Sequence, residues 1–306
     1  MQLDFEIVAE GLAFPEGPVW MEDGSVILVE IEVGRITRVR ADGTTETVAE
    51  PGGGPNGLAV GPDGALYCCN NGGFEWSKRD GITIPGRAAK DYSGGRIERI
   101  DIASGKVEVL YDSCNGHKFS GPNDIVMDGK GGFWFTDLGK VRDYGHDHGG
   151  LFWAKCDGSE VRQAAHGPNM NGVGLSPDGK TVYAALTNDR QVVAMEILGP
   201  GEVAPGVLPG FPGKVLAGWA GRTLLDSLAV DADGNVCVAT LVDTPGIASV
   251  HPETGEITQY DFPDLLTTNI CFGGADMKDA WVCLSTTGKL AKCRWPVAGL
   301  RLAHYA

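Results

Sequence analysis

No stretch of this 306-residue sequence approaches the run of about 20 apolar residues that a membrane span needs. The segment from Met1 to Phe5 also lacks the basic and then apolar pattern of a secretion signal. The eight cysteines include no Cys-x-x-Cys pair, and most lie in apolar strand patterns, where a free cysteine acts as a small hydrophobic residue. These absences predict a soluble cytoplasmic protein without a membrane partner or a disulfide framework.

Basic charge is also scarce. The chain has 25 Lys and Arg against 40 Asp and Glu, a formal net charge of −15. Nucleic acids and anionic membranes bind to basic faces, so neither is expected as a partner. The sequence also lacks a Gly-x-Ser-x-Gly nucleophile elbow, a phosphate-binding loop and a dinucleotide fingerprint in a strand-to-helix setting. Any chemistry must therefore come from other residues.

A repeated pattern runs through the whole chain. Its first copy, EGPVWMEDGSVILVE from Glu16, has an acidic or amide residue, a short apolar strand, a turn with Asp and Gly, and a second apolar strand. Five further copies follow at intervals of about 50 residues, and they begin at Asn56, Asn123, Asn171, Asp226 and Asn269. This period and the strand-like alternation are typical of propeller blades. The sequence therefore predicts an all-β fold, a six-bladed β-propeller forming a single domain over residues 1–306.

The opening residues of the copies carry a second prediction. The innermost strand of each blade lines the central channel, so equivalent positions converge on one axis and form a ring of oxygen donors. Two carboxylates and four amides, without thiolate or imidazole, suit calcium, magnesium or manganese. The alternative is that these residues only cap strand ends, as Asn and Asp often do. A separate Asp-Gly turn in the copies argues against that alternative.

The chain ends and the first blade give further expectations. Residues 2–9 are predicted to form a strand that completes the C-terminal blade, because a closed propeller must cover its edges. Residues 36–39 and 45–48 are predicted as the outer strands of blade one. Glu30 and Glu32 are interpreted as rim carboxylates and not as metal ligands.

Two insertions interrupt the repeat. Residues 70–95 are predicted to form a long loop without strands, in which Phe74 and Trp76 either roof a pocket or pack the loop onto its own blade. Residues 137–150 form a shorter insertion. Its His146 and His148 are interpreted as solvated side chains, because an i, i+2 pair in a Gly-rich polar loop is seldom a metal site.

Four of the motifs resemble one known family. PEGPVW with Glu16, SGPNDIVMD with Asn123, NGVGLSPDGK with Asn171 and DSLAVDADGN with Asp226 are similar to the senescence marker protein, gluconolactonase and luciferin-regenerating enzyme family, which is related to diisopropyl fluorophosphatase. The resemblance implies one divalent cation in the channel, held by Glu16, Asn171 and Asp226, with Asn123 as a further ligand or a substrate contact. Calcium is the first candidate, and magnesium, manganese, zinc and iron(II) are alternatives.

The resemblance also implies an activity. It implies hydrolysis of a small lactone, with Asp226 as the base that takes a proton from the attacking water, and we expect Asn56, Asn123 and Trp76 to contact the substrate. Two alternatives stay open. One is hydrolysis of a phosphotriester or another ester with Asp226 as the nucleophile, and the other is a propeller that binds calcium or a ligand without catalysis. The physiological lactone and the oligomeric state stay open as well.

Two positions depart from the family pattern. Ser227 replaces a glycine that many members have, and Gly121 stands where the vertebrate gluconolactonase has an arginine. The missing arginine, together with an aromatic roof of Phe74, Trp76 or Tyr144, predicts a lactone less polar than an aldonolactone.

Overall fold

The computed structural model describes residues 1–167, 169–208 and 210–304. In this part of the chain the regular structure is almost entirely β, and the one helical element is a single 3-10 turn, Ile31–Val33. It contains no helix long and apolar enough to cross a membrane. The all-β prediction is confirmed.

The first half of the chain supplies an N-terminal strand and three blades. Its strands are β1 (Phe5–Glu10), β2 (Pro15–Trp20), β3 (Val26–Glu30), β4 (Arg35–Val39), β5 (Thr45–Ala49), β6 (Pro55–Val60), β7 (Leu66–Asn70), β8 (Phe74–Arg79), β9 (Ile82–Ala88), β10 (Arg96–Ile100), β11 (Val107–Tyr111), β12 (Ser113–Cys114), β13 (His117–Lys118), β14 (Pro122–Met127), β15 (Gly132–Asp137), β16 (Gly149–Lys155) and β17 (Val161–Gly167). Blade one contains β2 to β5, blade two contains β6, β7, β10 and β11, and blade three contains β14 to β17. The short strands β12 and β13 pair with each other.

The second half supplies the other three blades. Its strands are β18 (Met170–Leu175), β19 (Thr181–Leu186), β20 (Gln191–Gly199), β21 (Glu202–Val203), β22 (Lys214–Gly218), β23 (Leu224–Val230), β24 (Val236–Leu241), β25 (Gly246–Val250), β26 (Ile257–Asp261), β27 (Thr267–Gly273), β28 (Asp279–Leu284) and β29 (Lys289–Arg294). Blade four contains β18 to β20 and β22, with β21 on the end of β20, and blade five contains β23 to β26. Blade six contains β27 to β29 and is completed by β1.

The ring closes as the sequence predicts. Strand β1 runs antiparallel to β29, with Phe5 opposite Cys293 and Glu10 opposite Lys289. Each innermost strand contacts that of the next blade, and the sixth contacts the first. Six buried apolar clusters fill the six interfaces between blades. The predicted six-bladed propeller is therefore confirmed.

An aspartate holds the turn between the first two strands of every blade. Its carboxylate accepts a hydrogen bond from the backbone N–H two residues later, at 2.9 Å from Asp23 to Ser25 and 3.0 Å from Asp231 to Asp233. Asp63, Asp178 and Asp276 take the position of Asp23 in their turns, whereas Asp128 takes that of Asp231, directly after the first strand. Such Asx-turns explain why every copy carries an aspartate in the turn after its first strand.

The cysteines behave as predicted. All eight are free, and six of them are buried. Cys68, Cys69, Cys237 and Cys283 have no exposed surface and belong to the apolar clusters between blades. They therefore serve the core as small hydrophobic residues.

Two expectations differ from the structure. Residues 70–95 are not a strandless loop, because β8 and β9 pair as a two-stranded hairpin. Glu30, expected on the rim, is buried, and its carboxylate accepts hydrogen bonds from Arg35 and Thr37 at 2.8 and 2.5 Å. An insertion without the blade pattern can still pair its own strands, and a strand-end carboxylate can be buried when its charge is compensated.

Candidate functional site

All six innermost strands begin at the same end of the channel, and neighbouring strands approach each other closely there. A methyl group added to Gly17 would lie 2.2 Å from the backbone oxygen of Asn56, and one added to Gly57 would lie 2.6 Å from that of Asn123. A methyl group added to Gly172 would lie 2.7 Å from the backbone oxygen of Asp226 in blade five. Glycine directly after the opening residue therefore lets neighbouring inner strands approach without a side chain between them.

The first and sixth blades are joined through Glu16. The side-chain amide of Asn269 donates to Oε2 of Glu16 at 2.7 Å, and the backbone N–H of Gly17 donates to the same oxygen. The Asn269 Oδ1 atom accepts from the backbone N–H of Ile270 at 2.8 Å. Asn269 therefore orients the Glu16 carboxylate, whereas the sequence predicts it as one of the ring oxygen donors.

Three carboxylates lie together at this end of the channel. Glu16 and Asp124 are 3% and 7% exposed, and Asp226 retains slightly more surface. Burial raises the pKa of all three, and the Glu16 charge raises the pKa of Asp226 further and that of Asp124 to about 7. Within the described residues none of them forms an ion pair with Lys, Arg or His. Uncompensated negative charges this close need a cation to be stable in ionised form.

Two amide oxygens complete the cluster. Oδ1 of Asn123 and Oδ1 of Asn171 are buried and have no hydrogen-bond partner in the structure. Buried polar atoms in proteins are nearly always hydrogen-bonded, so these two oxygens are positions where a bound ion, ligand or water would supply the partner. Both residues open an inner strand, as Glu16 and Asp226 do.

These donors fit a hard divalent cation. No group of three or more His, Cys, Asp or Glu side chains in residues 1–167, 169–208 and 210–304 is placed to hold a metal. A metal site here therefore depends on the Asn123 and Asn171 amides as much as on Glu16 and Asp226. Two carboxylates with amide oxygens and water are ligands that calcium and magnesium accept.

Asp124 is a site residue that the sequence analysis missed. Its carboxylate accepts backbone N–H groups of Ile125 at 3.0 Å and Val173 at 3.1 Å, and so links blade three to blade four. The sequence contained a signal for this residue: Asp124 follows the opening residue of its copy, a position that Gly57 and Gly172 occupy in other copies.

Asn56 and Trp76 lie on this same side of the propeller. Asn56 is 4% exposed and opens the inner strand of blade two. Trp76, on β8, packs against Phe14 and Phe74, with ring centroids 5.0 and 5.9 Å apart. Both aromatic side chains of the hairpin also pack against the cluster between blades one and two.

The hairpin of β8 and β9 extends across several blades. The backbone N–H of Thr83 donates to the oxygen of Thr286 in blade six at 2.9 Å, and Lys78 pairs with Glu32 of blade one at 2.6 Å. Glu32 and Thr286 directly follow β3 and β28, the second strands of blades one and six. Second strands end where the inner strands begin, so both residues lie at that end of the channel. The hairpin therefore covers part of the channel mouth.

Lys140 anchors the hairpin, and the sequence analysis did not single it out. It is 1% exposed, and its Nζ donates to Asn71 Oδ1 at 2.8 Å and to the Gly73 oxygen at 2.9 Å. The same Nζ lies 3.3 Å from the centre of the Phe74 ring. Burial lowers the pKa of Lys140 well below its ordinary value.

The remaining predicted residues lie apart from the ring. His148 stacks on His166, with ring centroids 5.9 Å apart, and lines a separate cavity of about 440 Å³. The backbone of His146 pairs with that of Val141 in an isolated antiparallel β-bridge. Tyr144 is 104% exposed and lies at a surface cavity beside Arg87 and Arg142, away from the ring residues. At Gly121 an added methyl group would lie 2.3 Å from the Gly139 oxygen, so this backbone leaves no space for a larger side chain.

A six-bladed propeller with oxygen donors clustered at one end of its channel defines the class of this protein. Residues 14–286 match the SMP-30/Gluconolactonase/LRE-like region, and the chain belongs to that family. It is 28% identical over 239 residues to lactonase drp35 of Staphylococcus haemolyticus, covering 76% of this chain and 65% of that protein. It is 26% identical over 208 residues to a gluconolactonase of Zymomonas mobilis, covering 60% of this chain and 52% of that protein.

A solved structure shows the same fold. The calcium-binding protein regucalcin from Agrobacterium tumefaciens superposes with a TM-score of 0.75 at 17% identity, over 100% of this chain and 98% of that one. The matches to the two curated relatives thus span between half and two thirds of their lengths, whereas the fold match is complete.

Proposed function

We propose that this protein is a divalent-cation-dependent hydrolase that opens a lactone ring by attack of water. The observation that carries this proposal is the meeting of two carboxylates, Glu16 and Asp226, with the unpartnered amide oxygens of Asn123 and Asn171. The lactonase and the gluconolactonase among the relatives support the reaction class, and the calcium-binding protein of the same fold supports the cation.

Glu16, Asn171 and Asp226 are the residues that would hold the cation, with Asn123 as a fourth ligand or a substrate contact. Calcium is the first candidate, and magnesium, manganese, zinc and iron(II) are alternatives. A cation held by these residues would polarise a lactone carbonyl and would lower the pKa of water beside it.

Asp226 has the role of general base. Its carboxylate takes a proton from the attacking water while the water oxygen forms a bond to the carbonyl carbon. The ring C–O bond then breaks, and the proton passes to the departing ring oxygen, which becomes an alcohol. Burial and the Glu16 charge raise the pKa of Asp226, and hydrogen bonds from the Asn171 side chain and the Ser227 backbone only partly oppose that rise. The ionised form that the base role requires would therefore depend on the positive charge of the cation.

Asn56, Asn123 and Trp76 are the proposed substrate contacts. Asn56 and Asn123 open the inner strands of blades two and three, below the hairpin that carries Trp76. A substrate bound between them would have amide groups on one side and an indole ring on the other. This arrangement suits a small ring with one polar edge and one apolar face.

The experiment is a metal-return assay. The protein is stripped with a chelator, each divalent cation is added in turn, and a panel of lactones is followed by proton release. We expect no turnover without a cation, turnover after its return, and loss of turnover in Glu16→Gln. His148→Ala is the control, because His148 lies outside the ring.

Two outcomes would contradict the proposal. Tight cation binding without turnover of any lactone would favour a binding protein. Turnover of a phosphotriester without turnover of lactones would favour the alternative in which Asp226 attacks as the nucleophile.

A further inference from the structure

A short segment near the end of the described chain lies at the far end of the channel, opposite the mouth. This crossing segment, residues 299–303, follows the last strand, β29. All inner strands begin at the mouth, so the turn that follows each inner strand lies at the far end. The crossing segment contacts four of these turns, which belong to blades one, three, five and six.

The first two residues of the crossing segment attach it to blades five and six. The backbone of Gly299 pairs in an antiparallel β-bridge with that of Asp231, directly after the inner strand of blade five. Its N–H donates to the Met277 oxygen, in the first turn of blade six, at 2.7 Å. The N–H of Leu300 donates to the Val230 oxygen at 3.0 Å, and its side chain packs against the apolar cluster between blades four and five.

The next residues reach blades one and three. The Arg301 guanidinium pairs with the Glu22 carboxylate, in the first turn of blade one, at 3.0 Å. The Ala303 side chain packs against the apolar cluster between blades two and three. It lies beside Gly129, in the first turn of blade three, where an added methyl group would be 3.4 Å from the Ala303 Cβ atom.

These contacts place the crossing segment over the channel axis. Blades one, three and five alternate around the ring, so they surround the axis on three sides. Five residues extend over about 17 Å at most. A segment this short can contact three alternate blades only where its backbone or its Arg301 side chain crosses the axis. The crossing segment therefore covers the far opening of the channel.

The channel between the two ends has side chains that keep some exposed surface. Val19, Ala229 and Cys271 lie on the inner strands of blades one, five and six and are only partly buried. The inner strands surround the axis and have a neighbouring blade on either side, so this exposed surface faces the channel. Access of small molecules to these side chains therefore depends on which ends of the channel are open.

We propose that the crossing segment is a plug that closes the far end of the channel. The channel then opens to solvent only at its mouth. Whatever binds at the ring of oxygen donors enters and leaves on that side, beside the Trp76 hairpin. This closure goes beyond the proposed hydrolysis and does not depend on it, because it rests on the contacts of residues 299–303.

The experiment uses native cysteines as reporters. The 306-residue chain and a chain that ends at Ala298 are treated with N-ethylmaleimide, and mass spectrometry follows the labelling of each cysteine. We expect Cys271 to be labelled about tenfold faster in the shortened chain, because the reagent then enters from the far end. Cys114 is the internal control: it lines the cavity beside His148, on the mouth side of blade three, and its labelling rate should be the same in both chains.

A point variant tests the plug without shortening the chain, and it decides the question if the shortened chain does not fold. Leu300→Ala removes the apolar contact with blades four and five, so labelling of Cys271 should become faster. Leu302→Ala is the matched control, because Leu302 lies in the same segment, is 44% exposed and should not affect labelling. Unchanged Cys271 labelling in the folded shortened chain and in Leu300→Ala would overturn the plug. An equal increase at Cys114 and Cys271 would also overturn it, because it would show a general loosening of the fold.

Calcium separates this inference from the proposed function. Calcium bound at the ring would obstruct the mouth, so it should slow Cys271 labelling in the 306-residue chain and not in the shortened chain. If shortening accelerates labelling but calcium slows it in neither chain, the plug stands and the proposed cation site fails. If the protein opens lactones with calcium but shortening has no effect on labelling, the plug fails and the proposed hydrolysis stands.

Discussion

The Asn269 side-chain amide donates a hydrogen bond of 2.7 Å to the Glu16 carboxylate and so joins the last inner strand to the first. This bond thus adds to the contacts between blades six and one, and it also orients a proposed cation ligand. Outer partners of this kind hold ligands in place, and their loss commonly costs ten- to a hundredfold in metal affinity. We therefore expect fold closure and the proposed cation binding to be coupled at this pair.

The first prediction concerns this pair. Glu16→Gln should weaken cation binding about a hundredfold because it removes one of two ligand charges, and Asn269→Leu about tenfold because it frees the carboxylate to rotate. Isothermal calorimetry measures both. Asn235→Leu is the matched control: Asn235 also donates to a buried carboxylate, that of Asp231 at 2.8 Å, but at the opposite end of the propeller. If Glu16→Gln bound the cation with the affinity of the wild type, the cation site would have to lie elsewhere.

The second prediction concerns the closing strand. Deleting residues 2–9 removes most of β1 and exposes the edge of β29, so Tm should fall by about 5 °C or more. Differential scanning calorimetry and the oligomeric state of the shortened chain are the readouts. Ile7→Ala, which keeps the backbone pairing with Ala291, should change Tm much less. An unchanged Tm after the deletion would show that β1 does not stabilise the ring.

Much of this architecture could be predicted from the sequence because its signals are local and repeated. The residues that open the inner strands, the aspartates in the turns and the strand that completes blade six all follow from a pattern that recurs six times. The position of Asn123 or Asn171 at the channel follows from that pattern alone.

The rest depends on exceptions to the pattern and on contacts between distant residues. Asp124 could be recognised only as a departure from Gly57 and Gly172. Lys140 contacts Asn71, 69 residues earlier, and nothing in a Gly-rich insertion indicates that its lysine is buried. That Arg190 has a backbone oxygen but no carboxylate as its partner in the described residues appears only when every arginine has been placed in the fold.

The third prediction concerns the pH dependence of the metal-free protein. Burial raises the pKa of Glu16, Asp124 and Asp226 above their unfolded values, which are about 4. The folded chain therefore holds these protons more tightly than the unfolded chain. Its free energy of unfolding should therefore fall as pH rises from about 4, the unfolded value, to about 7, the pKa of folded Asp124, above which the Asp124 contribution no longer changes.

Chemical denaturation in chelator between pH 5 and 8.5 measures this fall. Added calcium should remove most of it, because a bound cation compensates the ionised carboxylates. Asp124→Asn should flatten the metal-free profile near pH 7, whereas Asp112→Asn, at an exposed site, should leave it unchanged. A metal-free profile that rises with pH would contradict the burial of these charges.

The fourth prediction concerns the anchor of the hairpin. Lys140→Met keeps the aliphatic stem but removes the charged donor from Asn71 Oδ1 and from the Gly73 oxygen, which keep only the backbone N–H groups of Gly73 and Ala89. Two buried hydrogen bonds from a charged group are then lost, so the hairpin should open more often. Hydrogen exchange in residues 74–88 should become faster while the blades exchange as before. Lys155→Met, which is 44% exposed, is the control, and unchanged exchange in the hairpin would show that other contacts hold it.

The last prediction concerns the indole of Trp76, a proposed substrate contact on the hairpin. Trp76→Ala removes a ring that packs 5.0 Å from Phe14 and should enlarge the space above the cation site. Lactones with large substituents should then change rank in kcat/KM, whereas the smallest lactone, which does not reach the hairpin, should change least. Lys78→Ala, on the same strand, is the control because it leaves the indole in place. Equal losses across the panel would mean that Trp76 supports the hairpin and does not select the substrate.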